Sequence, residues 1–375
     1  MQATSTVAPA AARPPVLTPA ARNTAVDCYR GFVMLLMMAE VLQLSRVAQA
    51  FPGNPFWAAL AWNQTHVAWA GCSLHDTIQP GFSFLVGVAL PYSIAARLAK
   101  GGSFGGMLAH AVRRSLILIL LGIFLRSMHS PITYFTFEDT LTQIGLGYTF
   151  LFLLGFASQR TRWWALGTIL FGYWLAWMIY PAPHWAKDHN LGVAFDQWFL
   201  NLFPRTVRFV VNSGGYLTLS FVPTLGTMVL GLIAGEWLRS ESPRIPYRKL
   251  VAAGAIGMAA GALLHFSGIC PAVKRIWTPS WTLFSGSLCF LYLAAFCRMR
   301  TVFPLIVIGM NSIAAYLIAE MLRGFVTDTF RIHLGPRFFA LFGGGIEPLV
   351  RGCAILGVYW LALWWMYRRK IFLRI

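Results

Sequence analysis

Charged side chains are scarce in this chain, and acidic ones are the scarcest. Only 11% of the 375 residues are charged, whereas about 25% is usual in a water-soluble domain. The 12 acidic residues are outnumbered by 30 Lys and Arg, which gives a formal net charge of +18. Since 57% of the residues are hydrophobic, so low a charge content excludes an ordinary soluble fold and indicates a membrane protein.

Several local patterns are also missing. The six cysteines form no Cys-x-x-Cys pair or other metal-ligand spacing, so we expect no metal. A glycine-rich phosphate loop is absent, so we expect no soluble nucleotide-binding unit. Residues 1–26, rich in Ala, Thr and Pro, lack the apolar segment of a signal peptide. We interpret 1–26 as a disordered cytoplasmic tail and 27–375 as a single transmembrane domain.

Long apolar runs dominate the rest of the chain. They are continuously apolar and close to the roughly 20 residues that a helix needs to cross a bilayer, whereas barrel strands would show short alternating segments. The sequence therefore predicts an all-α, polytopic membrane helical bundle with about ten transmembrane helices. The runs cover residues 28–44, 74–96, 110–127, 141–157, 162–180, 216–238, 247–268, 279–297, 302–321 and 348–367.

The distribution of Lys and Arg predicts the orientation of this bundle. Most of the 30 basic residues share one side if the N-terminus is cytoplasmic, as the positive-inside rule requires. Both termini are then predicted to be cytoplasmic. Because the basic residues are spread over many helix ends, we expect the lipid bilayer as their partner and no nucleic acid. The sequence leaves the oligomeric state open, with a homodimer as one option.

Most other titratable groups concentrate on the opposite side. With this topology every histidine except His110 faces outward. Depletion of Lys and Arg outside would by itself explain the histidines in loops. It would not explain Glu40, Asp76 and Glu320, which lie within apolar runs, where an ionisable group costs roughly 2.5–3.5 kcal/mol. Such residues indicate a functional site or a buried pair.

Polar residues also form stripes on three predicted helices. Spacings of three and four residues place side chains on one helix face. The stripes could enclose a cavity together, or each could simply hydrogen-bond to a neighbouring helix. They consist of Asp76, Gln79, Ser83 and Gly87; Ser312, Tyr316, Glu320 and Arg323; and Thr140, Gln143 and Gly147. Gly231 and Gly235 form a small-xxx-small pair, for which we expect helix packing.

Five short motifs in a fixed order carry a family resemblance. They are Asp27-Cys-Tyr-Arg-Gly31; His66-Val-Ala-Trp-Ala-Gly71 with Asp76 and Pro80 after it; Leu141-Thr-Gln-Ile-Gly145; Pro271-Ala-Val-Lys-Arg-Ile-Trp-Thr278; and Gly309-Met-Asn-Ser312. Together with the hydropathy pattern, they make the chain resemble the heparan-α-glucosaminide N-acetyltransferase family of membrane acetyltransferases and its bacterial relatives. The resemblance extends from about residue 25 to residue 320.

This resemblance implies transfer of an acetyl or other acyl group from cytoplasmic acetyl-CoA, a co-substrate, to an amino sugar or glycan outside. It implies a bacterial inner membrane as the location and the cell envelope as the source of the acceptor. The histidine of the family's His-x-x-Trp segment is catalytic, and that residue is His66 here. Two departures leave the acceptor open: Ala70 precedes Gly71 where lysosomal members have Asn, and Glu40 replaces an Asn near the outer end of the first helix.

The chemistry of acyl transfer agrees with that assignment. A thioester is already activated, so the enzyme must align the acceptor, remove one proton and stabilise an oxyanion. We favour His66 as general base, and leave open the route in which His66 itself is acylated. Asp76 would orient the imidazole ring. His75 should point away from the stripe and serve as a polar residue at the helix mouth.

Other candidates fall into three groups. We consider Asn311 and Ser312 as oxyanion donors. Glu40, Gln79 and Glu320 could contact the acceptor, as could Lys274 and Trp277 unless they are interface anchors. Arg30, Arg113 and Arg114 could bind the CoA phosphates, or could simply follow the positive-inside rule. Cys72 and Cys270 both face outward and could pair in an oxidising compartment.

Two other functions remain open at this level. A secondary transporter would also use intramembrane acids and a polar cavity, but the two halves of the chain share no matching motifs. An O-acyltransferase of cell-envelope sugars or lipids would keep the chemistry and change the acceptor.

Overall fold

The structure is a computed structural model that describes residues 23–373, and regular structure in that range is helical apart from one isolated bridge between Ala70 and Val273. Residues 1–22, most of the predicted tail, lie outside the described residues. The helices are α1 Thr24–Met38, α2 Leu44–Ala50, α3 Pro55–Asn63, α4 Ile78–Leu98, α5 Phe104–Ser127, α6 Thr140–Gly155, α7 Gln159–Ile179, α8 Leu191–Phe199, α9 Phe221–Ser240, α10 Tyr247–Phe266, α11 Pro279–Arg298, α12 Phe303–Met310, α13 Ser312–Met321, α14 Arg323–Leu334 and α15 Glu347–Arg368.

Six helical segments in the described range are long and apolar enough to cross a membrane, and two bent helix pairs raise the number to eight. The six contain α4, α5, α9, α10, α11 and α15; the bent pairs are α1 with α2 and α12 with α13. Helix α6 has only 16 residues. The prediction of an all-α membrane bundle is thus confirmed. The count of ten and the cytoplasmic placement of both termini remain predictions.

Apolar side chains cover the outside of the bundle. Leu116, Leu120 and Phe124 on α5 recur every four residues and are more than half exposed. Water would make such a stripe unfavourable, whereas lipid solvates it. The exposed stripe therefore agrees with an integral membrane protein.

Glycines bring the central helices α4 and α9 into backbone contact. A Cβ atom on Gly87 would lie 2.0 Å from the Met228 carbonyl oxygen, and one on Gly231 would lie 1.9 Å from that of Phe84. Gly235 meets Val88 in the same way. The packing role expected for Gly231 and Gly235 is confirmed. Gly87, predicted on a polar stripe, serves the same crossing.

The run 302–321, predicted as one crossing, is broken at Asn311. Helices α12 and α13 meet there at 82°. The Asn311 side chain donates to the carbonyl oxygen of Ile371 at 2.9 Å and accepts from the Leu373 backbone N–H at 3.0 Å. Its polar groups therefore hold the C-terminal segment, and α13 continues from the break in a new direction.

Candidate active site

His66 lies in the loop between α3 and α4, and that loop is fixed at several points. Gln64 donates to the Ala39 carbonyl oxygen at 2.6 Å and accepts from the Leu44 N–H at 2.7 Å. The Ser73 hydroxyl donates to the Thr65 carbonyl oxygen at 2.6 Å. These bonds tie the loop to the end of α1 and to itself, so the backbone around His66 is preorganised.

A second loop, residues 267–278 between α10 and α11, packs against the first. The Gly71 N–H donates to the Ala272 carbonyl oxygen at 3.1 Å, beside the bridge between Ala70 and Val273. This pairing brings Lys274 to His66, although the two residues are far apart in sequence.

His66, Asp76 and Lys274 form a closed triangle of polar atoms. His66 Nδ1 lies 2.8 Å from Asp76 Oδ1, Lys274 Nζ lies 3.2 Å from the same oxygen, and Nζ lies 3.0 Å from His66 Nδ1. Asp76 and Lys274 are almost completely buried, whereas the His66 side chain is 35% exposed. The imidazole is therefore the member of the triangle that a substrate can reach.

The backbone fixes the position of the Asp76 carboxylate. Its Oδ2 accepts the N–H groups of Val67 at 3.2 Å and Ser73 at 3.0 Å. Val67 directly follows His66, so its hydrogen bond fixes the Asp76 carboxylate next to the imidazole ring. In the tautomer with Nδ1–H donating to Asp76 Oδ1, Lys274 Nζ donates to the same carboxylate oxygen and not to Nδ1, and Nε2 of His66 keeps the free lone pair that a general base requires.

The electrostatics keep this imidazole neutral. Burial lowers the pKa of His66; the bond to Asp76 opposes this shift, and the charge of Lys274 adds to it. Burial also lowers the pKa of Lys274 to about 8, with Asp76 acting in the opposite direction. Lys274 thus balances the carboxylate charge, and His66 remains unprotonated near neutral pH.

His66 opens into a cavity of about 400 Å³, which we call the histidine cavity. Four predicted candidates, Glu40, Gln79, Lys274 and Glu320, line it beside His66. The structure adds residues that sequence reasoning had not selected. The full lining is Met37, Glu40, His66, His75, Ile78, Gln79, Phe82, Arg126, Glu138, Asp139, Thr140, Asn212, Ser213, Gly214, Tyr216, Lys274, Tyr316 and Glu320.

A second imidazole–carboxylate pair faces the same cavity. His75 Nε2 lies 3.0 Å from Glu40 Oε1. The rings of His75 and His66 are tilted against each other with centroids 4.6 Å apart. His75 was expected to point away from the site, but the 3₁₀ turn His75–Thr77 at the start of α4 rotates it toward His66.

Basic residues line a second cavity, of about 470 Å³, which we call the arginine cavity. Arg30, Arg113 and Arg114, the predicted phosphate ligands, all face it, and Arg97 and His110 join them. Arg30 is also paired with Asp27 at 3.1 Å. Arg114 donates to the Tyr148 hydroxyl at 3.1 Å. Apolar residues of α4, α5, α6 and α13 also line this cavity.

The two cavities lie end to end along the same helices. Helix α4 presents Gln79 to the histidine cavity and Arg97 to the arginine cavity, a separation of roughly 27 Å along the helix. That distance is close to the ~30 Å thickness of the bilayer core. Phe82 and Tyr316 line both cavities. The bundle therefore contains two cavities that lie toward opposite ends of a membrane-spanning helix and share two lining residues.

Three predicted candidates are not brought to His66. Ser312 lines the arginine cavity. Asn311 is buried at the helix break and bonded to the C-terminal segment. Trp277 is also buried and donates to Thr227 Oγ1 at 3.1 Å, so its predicted stacking on an acceptor conflicts with its position. Asn311 and Trp277 line neither of the two cavities.

The residues of the predicted polar stripes also lie partly at the histidine cavity and partly away from it. Thr140 lines the histidine cavity, but Gln143 is buried and donates to the carbonyl oxygens of the loop before α9, including Leu217 at 3.2 Å.

Cys72 and Cys270 are unpaired thiols. Burial raises the pKa of Cys72 to about 12, so this thiol is a poor nucleophile. Within residues 23–373, no group of three or more His, Cys, Asp or Glu could hold a metal ion.

These features define the class: an integral membrane protein whose helical bundle encloses a histidine–carboxylate site and a basic cavity.

A comparison with known proteins agrees with this class. The chain is 23% identical over 433 residues to the human protein named heparan-alpha-glucosaminide N-acetyltransferase, and the match covers 98% of this chain. It spans 62% of that relative's length. The similarity supports a distant relationship to that family; no family model matches the chain.

Proposed function

We propose that the protein is a membrane-embedded acyltransferase that moves an acetyl group from acetyl-CoA to an amino sugar or related glycan. The observation that carries the proposal is that the histidine and arginine cavities share Phe82 and Tyr316 in their linings. A phosphorylated donor and a sugar acceptor could bind at opposite ends of the bundle and react inside it. The distant relative is named for an acetyl transfer of this kind.

The arginine cavity is the donor site in this proposal. CoA carries several phosphate charges, and guanidinium groups match phosphate geometry through paired N–H donors. Arg97 on α4, Arg113 and Arg114 on α5, and Arg30 on α1 supply such groups. We place this cavity on the cytoplasmic side of a bacterial inner membrane, where the donor is made.

The histidine cavity is the acceptor site. Glu40, Glu138 and Glu320 face it, and carboxylates accept hydrogen bonds from the hydroxyl and amine groups of a sugar. Asp139 also faces the cavity, but its Oδ1 already accepts the N–H groups of Leu141 and Thr142 at the start of α6. The four acids of the lining outnumber its two fixed cations, and this excess of carboxylates favours an acceptor with a basic amine over an acidic one.

His66 would act as the base at Nε2. The acceptor nitrogen attacks the thioester carbon, and its proton passes to Nε2. The C–S bond then breaks, the C–N bond remains, and the CoA thiolate takes the proton back from the imidazolium. Asp76 stabilises that transient imidazolium. We assign stabilisation of the oxyanion to the ammonium group of Lys274, which lines the same cavity.

Thiol-detected CoA release by the purified protein tests this function. Acetyl-CoA is supplied with a panel of amino sugars and with their N-acetylated or deaminated analogues. We expect release that depends on an amino acceptor and is abolished by His66→Ala. His333→Ala, a change on the exposed face of α14, is the matched control and should retain activity. Equal turnover in His66→Ala would exclude the assigned base.

The same experiment separates the alternatives. An O-acyltransferase would accept the deaminated sugars as well as the amino sugars. A transporter would move the sugar into liposomes without consuming thioester. Glu320→Gln sharpens the first distinction, because it should weaken binding of a cationic amino sugar and leave a neutral acceptor unaffected.

A further inference from the structure

Two aromatic rings form the partition between the cavities. Phe82 on α4 and Tyr316 on α13 meet edge to face, with centroids 6.4 Å apart and an interplanar angle of 81°. Both side chains are half-buried, and both line the histidine cavity and the arginine cavity. A group that passes from one cavity to the other by this shared boundary must pass these two rings.

The helices that carry the rings are fixed in place. Helix α4 is locked against α9 by the backbone contacts at Gly87 and Gly231. Helix α13 starts at the break at Asn311, whose side chain is bonded to the C-terminal segment. Because neither backbone can easily move away, an opening between the cavities must come from rotation of the side chains. Such an opening is narrow.

The linings on the two sides of the rings differ in polarity. Leu85, Leu141 and Ile144 line the arginine cavity, whereas Gln79, Glu320 and His66 line the histidine cavity. A long acyl chain is better solvated by the aliphatic wall than by these polar groups. A two-carbon group loses little by leaving that wall. The narrow opening between the rings and the polar lining of the histidine cavity therefore both disfavour long acyl chains.

We propose that Phe82 and Tyr316 form the constriction that the thioester end of the donor must enter, and that they restrict the transferred acyl group to short chains. This inference rests on the proposed function. The chemical step is unchanged: the C–S bond of the thioester breaks, the C–N bond forms, and the acceptor proton passes through His66 to the CoA thiolate. The two rings do not react; they determine which acyl groups reach the base.

Chain-length preference is the first test. Acetyl-CoA, butanoyl-CoA and hexanoyl-CoA are compared with one amino sugar acceptor by CoA release. We expect wild-type kcat/KM for hexanoyl-CoA to be at least ~10-fold below that for acetyl-CoA, because the excluded chain carries four more methylenes. Phe82→Ala and Tyr316→Ala should shrink that ratio by ~10-fold or more. Tyr316→Phe keeps the ring and should behave as wild type.

Two neighbours on α4 provide matched controls. Val86 lies one turn beyond Phe82 and lines only the arginine cavity; Ile78 lies one turn before it and lines only the histidine cavity. Val86→Ala and Ile78→Ala should change the ratio by no more than ~2-fold if the constriction is local. An equal change in these controls, or no change in the two ring variants, would overturn the role in chain-length choice.

A second measurement does not depend on acyl transfer. In proteoliposomes, Gln79→Cys is introduced into a chain whose native cysteines are replaced, and a charged thiol reagent is supplied only from the arginine-cavity side. Labelling should be at least ~5-fold faster when Phe82→Ala or Tyr316→Ala is added, and unchanged with Val86→Ala. Unchanged labelling with both ring variants would overturn the constriction itself. If the wild type releases no CoA with any acceptor, the proposed function and the chain-length role fail together, and labelling alone decides whether the rings separate the cavities.

Discussion

Lys274 Nζ lies 3.2 Å from Asp76 Oδ1, and both side chains are almost completely buried. The pair joins the loop before α4 to the loop before α11, so it holds the scaffold of the site together. It also places a cation beside the carboxylate that contacts His66. One ion pair therefore serves both the stability of the site and the protonation of its base.

Loss of the Asp76 charge should affect activity and stability separately. Asp76→Asn keeps the shape of the side chain but removes the support for the imidazolium, so we expect turnover to fall by about 10²–10⁴-fold. It also leaves the Lys274 ammonium buried without its counter-ion, which costs roughly 3–5 kcal/mol. The double variant Asp76→Asn/Lys274→Met should regain thermal stability without regaining activity. Rates and thermal unfolding in detergent measure the two effects, and full activity in either variant would contradict the role of Asp76.

The pH dependence should report the charge of Lys274. His66 must be unprotonated to act, and its pKa is lowered, so the rate should rise with pH through a midpoint below the usual ~6.5. Lys274→Met removes one of the influences that lower this pKa, so the midpoint should move to higher pH. The acceptor amine titrates in both proteins, and Lys274 titrates near pH 8 in the wild type alone, so the comparison uses only the acid limb of the two profiles, where His66 titrates. An unshifted or downward midpoint would argue against this electrostatic coupling.

The arginine cavity should control donor affinity and leave the chemistry unchanged. Each charge-assisted hydrogen bond to phosphate contributes about 1.5–3 kcal/mol. Arg113→Gln and Arg114→Gln should therefore each raise KM for acetyl-CoA by about 10-fold or more and leave kcat within a few-fold. Arg248→Gln, at an exposed site near the start of α10, controls for net charge. Equal effects of all three changes would indicate long-range electrostatics in place of a binding site.

The glycine crossing of α4 and α9 should be intolerant of a methyl group. Gly87→Ala would place a Cβ against the backbone of α9, and overpacking of this kind costs about 1–3 kcal/mol or more. Gly167→Ala on α7, where nothing lies within 4 Å, should be neutral or should stabilise by up to about 1 kcal/mol. Thermal unfolding of the two variants measures the contrast. Similar unfolding temperatures would show that the helices can move apart.

The helices and one contact of the site, between His66 and Asp76, could be predicted from the sequence. Long apolar runs predict helices because only a helix satisfies the backbone within lipid. The ten-residue spacing of His66 and Asp76 across a short loop made their contact foreseeable, although their catalytic role remains a proposal. The position of Lys274 was not foreseeable, because it depends on pairing between two loops that are distant in sequence.

The remaining errors have physical causes. A hydropathy run records composition but not direction, so the 82° break at Asn311 was invisible in residues 302–321. His75 was misplaced because ideal α-helical geometry was assumed where the chain forms a 3₁₀ turn. Trp277 was taken as an interface anchor or acceptor contact from its residue type, but its indole is enclosed and bonded to Thr227. Tertiary packing decides each of these cases.

The thinness of the partition at Phe82 and Tyr316 has an electrical consequence. If water and ions fill the two cavities, they act as conductors, and the voltage of an energised membrane falls mainly across these two rings. A unit charge that crosses the whole field gains or loses about 2.3 kcal/mol per 100 mV. In the proposed step the acyl group leaves a thiolate behind and a proton returns to that thiolate, so no net charge crosses, and the final extent of transfer should be the same in polarised and depolarised vesicles.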